Sequence, residues 1–228
     1  MSSIQKRSQQ RNNAAKNNIL AKLKKDVEGA DYSKLPKEPV FQYAELSKAE
    51  QLKLFVSHLE TNHAEVLPVK ESEIPSVVSQ QLQQRGISKL LYGSGAPHSA
   101  QMLELDSQIE VEVFDFNLAD NKEKLFYEIP AGITSSRAAI AATGTIVLWP
   151  TVTEPRTLSL VPPVHIVIVD VKQLYPDFAT LIKTEGWRDK LPTNALLISG
   201  PSKTADIQQT LAYGAHCPKE LIVLLINT

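Results

Sequence analysis

Three segments in the second half of the chain are apolar at almost every position: 164–170 (VHIVIVD), 195–199 (ALLIS) and 221–226 (LIVLLI). Successive side chains of a strand point to opposite faces, so a strand with one wet face alternates apolar and polar residues. Unbroken apolar runs of this length instead mark strands covered on both faces, as in a parallel sheet between helices. Four more strands are expected at 64–69, 89–92, 110–114 and 145–149. Helical spacing of Leu52, Phe55, Val56 and Leu59 predicts a helix over 47–61, and helices are expected at about 73–85, 172–184 and 203–213. This alternation predicts an α/β fold, a doubly wound, mostly parallel sheet flanked by helices. Segment 131–145 (AGITSSRAAIAATGT) is open: its alanines favour a helix, whereas Thr143-Gly144 between two apolar runs favours a hairpin.

The chain of 228 residues is long enough for one sizeable α/β core with an N-terminal extension. Residues 1–45 read as that extension: a helix over about 13–28 stopped by Gly29, then a linker carrying Pro36 and Pro39. Residues 46–228 form the domain. Positions 1–25 hold seven basic residues and no acidic one, yet the net charge is −1. This basic arm lacks aromatic side chains for base stacking, and Ile19, Leu20 and Leu23 give it an apolar face, so nucleic acid is not an expected partner. No apolar run spans a bilayer and no signal-peptide core is present, so the expected compartment is the cytoplasm. A single cysteine, Cys217, cannot form an intramolecular disulfide or supply the thiolates of an iron–sulfur cluster. The histidines have no metal-ligand spacing, so no metal is expected; without cluster thiolates or a convincing dinucleotide fingerprint, no cofactor bound by this chain is expected either.

The chemistry concentrates in the run SGPSKTADIQQTLAYGAHCPKELIVLLI. Gly200-Pro201-Ser202-Lys203-Thr204 would join a strand to the helix at 203–213, where free amides and the helix dipole favour an anion. Gly200, Ser202, Lys203 and Thr204 are therefore candidate anion-binding residues, and Asp206 a candidate general base. Ser202 as a helix cap with Asp206 offsetting the dipole is an equally good structural account. The turn is no P-loop, because Ser202 stands where that motif requires glycine. About ten helical residues, roughly 15 Å, would separate it from Gly214-Ala215-His216-Cys217-Pro218. Gly214, His216 and Pro218 are accordingly read as capping or interface residues. Gly93-Ser94-Gly95 suggests a tight turn lining the same crevice. Segment 150–157 (PTVTEPRT) carries Glu154 and Arg156, the latter suited to clamp a carboxylate or phosphate.

This terminal run resembles the C-terminal signature of the lactate-utilisation (LUD) domain family. The resemblance extends upstream through Gly132-Ile133-Thr134, Ala141-Ala142-Thr143-Gly144-Thr145, Arg156 and 160–169, and covers roughly residues 60–228. It implies a Rossmann-like sheet similar to the NagB, ribose-5-phosphate isomerase and CoA-transferase class. It adds Thr143, Gly144 and Thr145 to the candidate anion-binding residues. Departures are Gln208 for the family's usual Glu, Lys203 for Arg, Cys217 for Gly, and Ala142 for the Glu before T-G-T.

Two functions follow from the resemblance. The first is a non-redox component of an L-lactate oxidation system, acting with iron–sulfur subunits. The second is a free-standing enzyme or binding protein for a phosphorylated or carboxylated metabolite, with Asp206 as base and Arg156 among the anion-holding residues. Whether the isolated chain is an enzyme is left open by the residues themselves.

Overall fold

A computed structural model describes residues 3–31, 33, 45–117, 120–205, 211–213 and 218–226. The chain divides into two units, Met1–Gln42 and Tyr43–Thr228. The first contains helix α1 (Ser3–Asp26), with Lys24 and Lys25 in its last turn, where cations suit the helix dipole.

The second unit opens with α2 (Lys48–Thr61), started by a capping box in which Ser47 and Glu50 satisfy each other's backbone N–H groups. β1 (Glu65–Val69) follows, then α3 (Ile74–Gln84), β2 (Lys89–Tyr92) and β3 (Glu110–Val113). β4 (Ala131–Ser135), β5 (Ala138–Ile140) and β6 (Thr145–Leu148) occupy the ambiguous stretch. After these come α4 (Arg156–Leu160), β7 (Val164–Asp170), β8 (Leu174–Tyr175), α5 (Phe178–Glu185), α6 (Trp187–Lys190) and β9 (Leu196–Ile198). β10 (Lys203–Ala205), β11 (Leu211–Tyr213) and β12 (Glu220–Ile226) complete the described chain.

Six strands form an entirely parallel sheet in the order β1-β12-β7-β4-β2-β3. Its central strands are apolar on both faces, as their sequence requires. Ile222, Leu224 and Ile226 of β12, with Ile166 and Ile168 of β7, pack beneath Ile74, Val78 and Leu82 of α3. Leu221, Val223 and Leu225 alternate with them and meet Phe55 and Leu59 of α2 on the other face. That second face is also covered by a four-stranded sheet, β8-β5-β6-β9, through Ala139, Ile146 and Leu148. The far side of this small sheet packs Ala138, Ile140 and Val147 against Leu181 and Trp187 of α5 and α6.

Segment 131–145 is therefore strand and hairpin, not helix. Its alanines serve as spacers: Ala138, Ala139 and Ala141 are fully buried where two layers press on one backbone. The turn into β6 needs Gly144, whose φ of 57° is left-handed and whose missing Cβ leaves room for His58.

Three expectations are corrected. Segment 195–199 does not join the parallel sheet; β9 is the antiparallel edge strand of the small sheet, with Leu197 half exposed. The helix expected over 172–184 begins only at Phe178, because Pro176 cannot sit inside it and Asp177 caps it through the Thr180 N–H at 2.8 Å. The helix expected over 203–213 is not what its described residues form: Lys203 pairs with Tyr213, Thr204 with Ala212 and Ala205 with Leu211 as antiparallel strands. Helix propensity is a weak prior, and an antiparallel ladder satisfies the same backbone groups without a helix end.

Candidate functional site

The strand order sets where a ligand can enter. The chain leaves β2 toward β3, but leaves β4 toward β7 on the other side. The loops after these two neighbours part, and such a switch point opens a crevice outside the carboxyl ends of the strands. Ser135, the last residue of β4, lines three recesses there. The largest has a volume of about 430 Å³ and is bounded by Pro97, His98, Ser135, Ser136, Arg137, Ile168, Asp170, Gln173 and Glu185. A smaller apolar recess lies among Tyr92, Met102, Ile133 and Ile168. The third, behind Trp149, holds Glu154, Arg156 and Ser159.

Glu154 is the anchor of the third recess. Its carboxylate accepts the Ser135 N–H at 2.5 Å and the Ser135 hydroxyl at 2.8 Å. Removal from water holds this carboxyl above the ordinary carboxylate range, and the two Ser135 hydrogen bonds oppose that rise only in part. The turn bearing Glu154 presses on the loop after β2: a Cβ on Gly93 would lie 2.5 Å from the Thr153 carbonyl oxygen. Glycine is needed there because the two backbones touch. Beneath this layer, Thr134 Oγ1 lies 2.8 Å from His165 Nε2. His165 is fully buried, and burial pushes its pKa down to about 3, so the ring is neutral.

Arg137 stands on the wall of the large recess. It pairs with Glu185, donating from Nε at 2.8 Å and also from Nη2, and lies over the Trp149 ring, 4.9 Å from its centroid. Tyr175 donates its hydroxyl to the other Glu185 oxygen at 3.1 Å. Trp149 in turn packs on Trp187. Among the described residues, no group of three His, Cys, Asp or Glu side chains could hold a metal ion.

The sequence-predicted residues fall into separate places. Arg156 opens α4 and shares the third recess with Glu154 and Ser135. Thr143, Gly144 and Thr145 lie at the opposite end of β6, about 13 Å away for four residues of strand. There Thr145 Oγ1 bonds Thr143 Oγ1 at 2.7 Å and Ser199 Oγ at 2.8 Å. Gly200 packs beside Asn62 at the end of α2, with the same group. Lys203 and Thr204 belong to the β10–β11 ribbon, so among the described residues no helix N-terminus follows Ser202. The Ser202 N–H is instead donated to the Pro218 carbonyl at 2.8 Å. Ser202 and Pro218, which a helix over 203–213 would hold roughly 15 Å apart, are thus joined directly. Asp206, Gly214 and His216 lie outside the described residues.

Sequence reasoning did not single out Ser135, Ser136, Arg137 or Asp170. A signal existed for Asp170, since an acid ending an otherwise apolar parallel strand sits at the crevice edge. Ser135 to Arg137 were hidden inside a segment whose conformation was open.

Comparison with known proteins adds the family. Residues 52–226 match the model of the LUD domain. The chain belongs to the LUD domain family. This LUD protein is 38% identical to an uncharacterized protein of Neisseria meningitidis serogroup B, over 93% of this chain and 94% of that one. It is 23% identical to lactate utilization protein C of Oceanobacillus iheyensis, covering 88% of this chain and 89% of the relative. Lactate utilization protein C 1 of Bacillus mycoides is 25% identical, over 88% of each chain. The LUD fold is also that of a DUF162 family protein from Deinococcus radiodurans, whose crystal structure matches with a TM-score of 0.60 at 23% identity, covering 80% of this chain and all of that one.

Proposed function

We infer that this LUD protein serves lactate utilisation as a component without its own redox centre. In this reading it works beside iron–sulfur partner proteins and holds a small carboxylate where Arg156 stands beside Glu154. The observation that carries the reading is the extent of the likeness: relatives named lactate utilization protein C align with 88% of this chain, not with one motif. The residues support it in two ways. One cysteine cannot ligate a cluster, so thiolate-bound iron belongs on other chains. Arg156 is exposed and has no carboxylate partner among the described residues, and a guanidinium matches a carboxylate in a planar, two-bond pair.

The test is reconstitution. Extracts lacking this chain should lose L-lactate-dependent dye reduction, and the purified protein should restore it only together with iron-containing proteins. Arg156→Ala should restore at least tenfold less. Sustained lactate oxidation by the purified chain alone, or undiminished oxidation in its absence, would overturn the reading.

Glu154 favours a second reading. A half-buried carboxyl raised above its ordinary range and hydrogen-bonded to a serine suits general acid–base work in a free-standing enzyme on a carboxylated or phosphorylated metabolite. Turnover by the purified chain without partners, abolished in Glu154→Gln, would select it.

A further inference from the structure

The large recess outside β4 and β7 is built for a ligand other than a small anion. Its volume of about 430 Å³ has room for about fourteen waters at about 30 Å³ each. A three-carbon acid would fill only a small part of it.

Charge argues the same way. The one guanidinium on its wall, Arg137, is already matched by Glu185 and lies over Trp149. The Glu185 side chain is only 10% exposed, so an anion that took Arg137 would strand a largely buried carboxylate, which is costly. Asp170 is not balanced. One of its oxygens accepts the Lys172 N–H at 2.8 Å, and no cation pairs with it among the described residues. His98 already has Glu71 at 3.9 Å, so any charge it carries is met there. The crevice therefore repels anions and offers a carboxylate oxygen as an acceptor.

The remaining polar groups are uncharged and work in both directions. Ser136 and Gln173 line the crevice and can each donate and accept. Pro97 and Ile168 supply apolar wall between them. An acceptor carboxylate flanked by such groups, at the carboxyl end of a parallel strand, matches the donors and acceptors of neighbouring hydroxyls on a sugar ring.

We propose that this crevice binds a neutral polyhydroxyl group of pentose or hexose size, its hydroxyls donating to Asp170 and bonded by Gln173 and Ser136. This site is distinct from the carboxylate position at Arg156, and the two meet at Ser135.

The test compares neutral sugars with charged counterparts of the same skeleton. The full chain is titrated with D-ribose and D-ribose 5-phosphate, and with D-glucose and D-gluconate, while tryptophan fluorescence follows Trp149 next to Arg137. At least one neutral sugar should saturate and bind at least threefold tighter than its charged counterpart. Asp170→Asn, which keeps an acceptor for the Lys172 N–H, should weaken that sugar at least fivefold and shrink the penalty on the anion. Gln173→Ala, at an exposed position, should weaken the sugar without altering the anion penalty. Absence of saturable binding by both neutral sugars, tighter binding of the anions, or an Asp170→Asn variant indistinguishable from the parent would overturn the proposal. Lactate oxidation in the reconstituted system is a separate readout, so this site can fail while the lactate reading stands.

Discussion

Glu154 and His165 answer acid in opposite senses. Burial raises the Glu154 carboxyl above its ordinary value of 4.5, so the folded protein holds this proton more tightly than the unfolded chain does. Its contribution to stability is complete below that value and is lost as pH rises through the raised one. Glu154→Gln should flatten the decline across this window, seen by comparing urea midpoints at pH 4 and pH 7; an unchanged slope would count against a carboxyl raised by its removal from water. His165 is pushed down from 6.5 to about 3, so its contribution is present above 6.5 and falls away toward 3. Its ring resonances should not move between pH 5 and pH 8 in NMR spectra, where an exposed histidine would titrate. Gly144 is a third single-residue test. Both its left-handed backbone and the nearby His58 reject a side chain, so Gly144→Ala should cost about 1–3 kcal/mol in equilibrium unfolding. A loss under about 0.5 kcal/mol would mean that this turn relaxes freely.

At the scale of elements, the sequence was most legible where burial is symmetric. β2, β7 and β12 announce themselves because a parallel strand covered on both faces leaves no polar alternation to misread. The same rule misled at β9, where Leu196 to Ile198 are apolar on an edge with Leu197 half exposed. Alanine misled differently in β5. Its helix propensity is a property of isolated backbone, whereas here it provides the thin layer between two packed sheets. Ala139→Leu should therefore overpack that interface and cost roughly 1–3 kcal/mol, measurable by chemical denaturation. A neutral result would show slack between the layers. The β10–β11 ribbon was illegible because each of its strands is three residues long, too short to show a period in the sequence. The candidate site was half legible: Arg156 and the Gly93 turn stood out by residue type, while Ser135 gained its place only when strand order brought three recesses to one residue.

For the whole molecule, the four apolar clusters found among the described residues draw their buried residues from the second unit. A chain lacking residues 1–42 should accordingly keep its melting temperature within about 4 °C of the full protein, less than the shift expected from about 1–2 kcal/mol. A larger drop in a thermal scan would assign the first unit a part in holding the second together. No helix among the described residues is long and apolar enough to cross a membrane. The sheet order has a consequence for synthesis. Among the described residues β1 pairs only with β12, about 150 residues further along the chain. At 5–20 residues per second, a ribosome needs roughly 8–30 s to deliver that partner. Throughout that interval, the nascent polypeptide must carry an apolar strand with an open edge, the kind of surface that invites aggregation or a waiting chaperone.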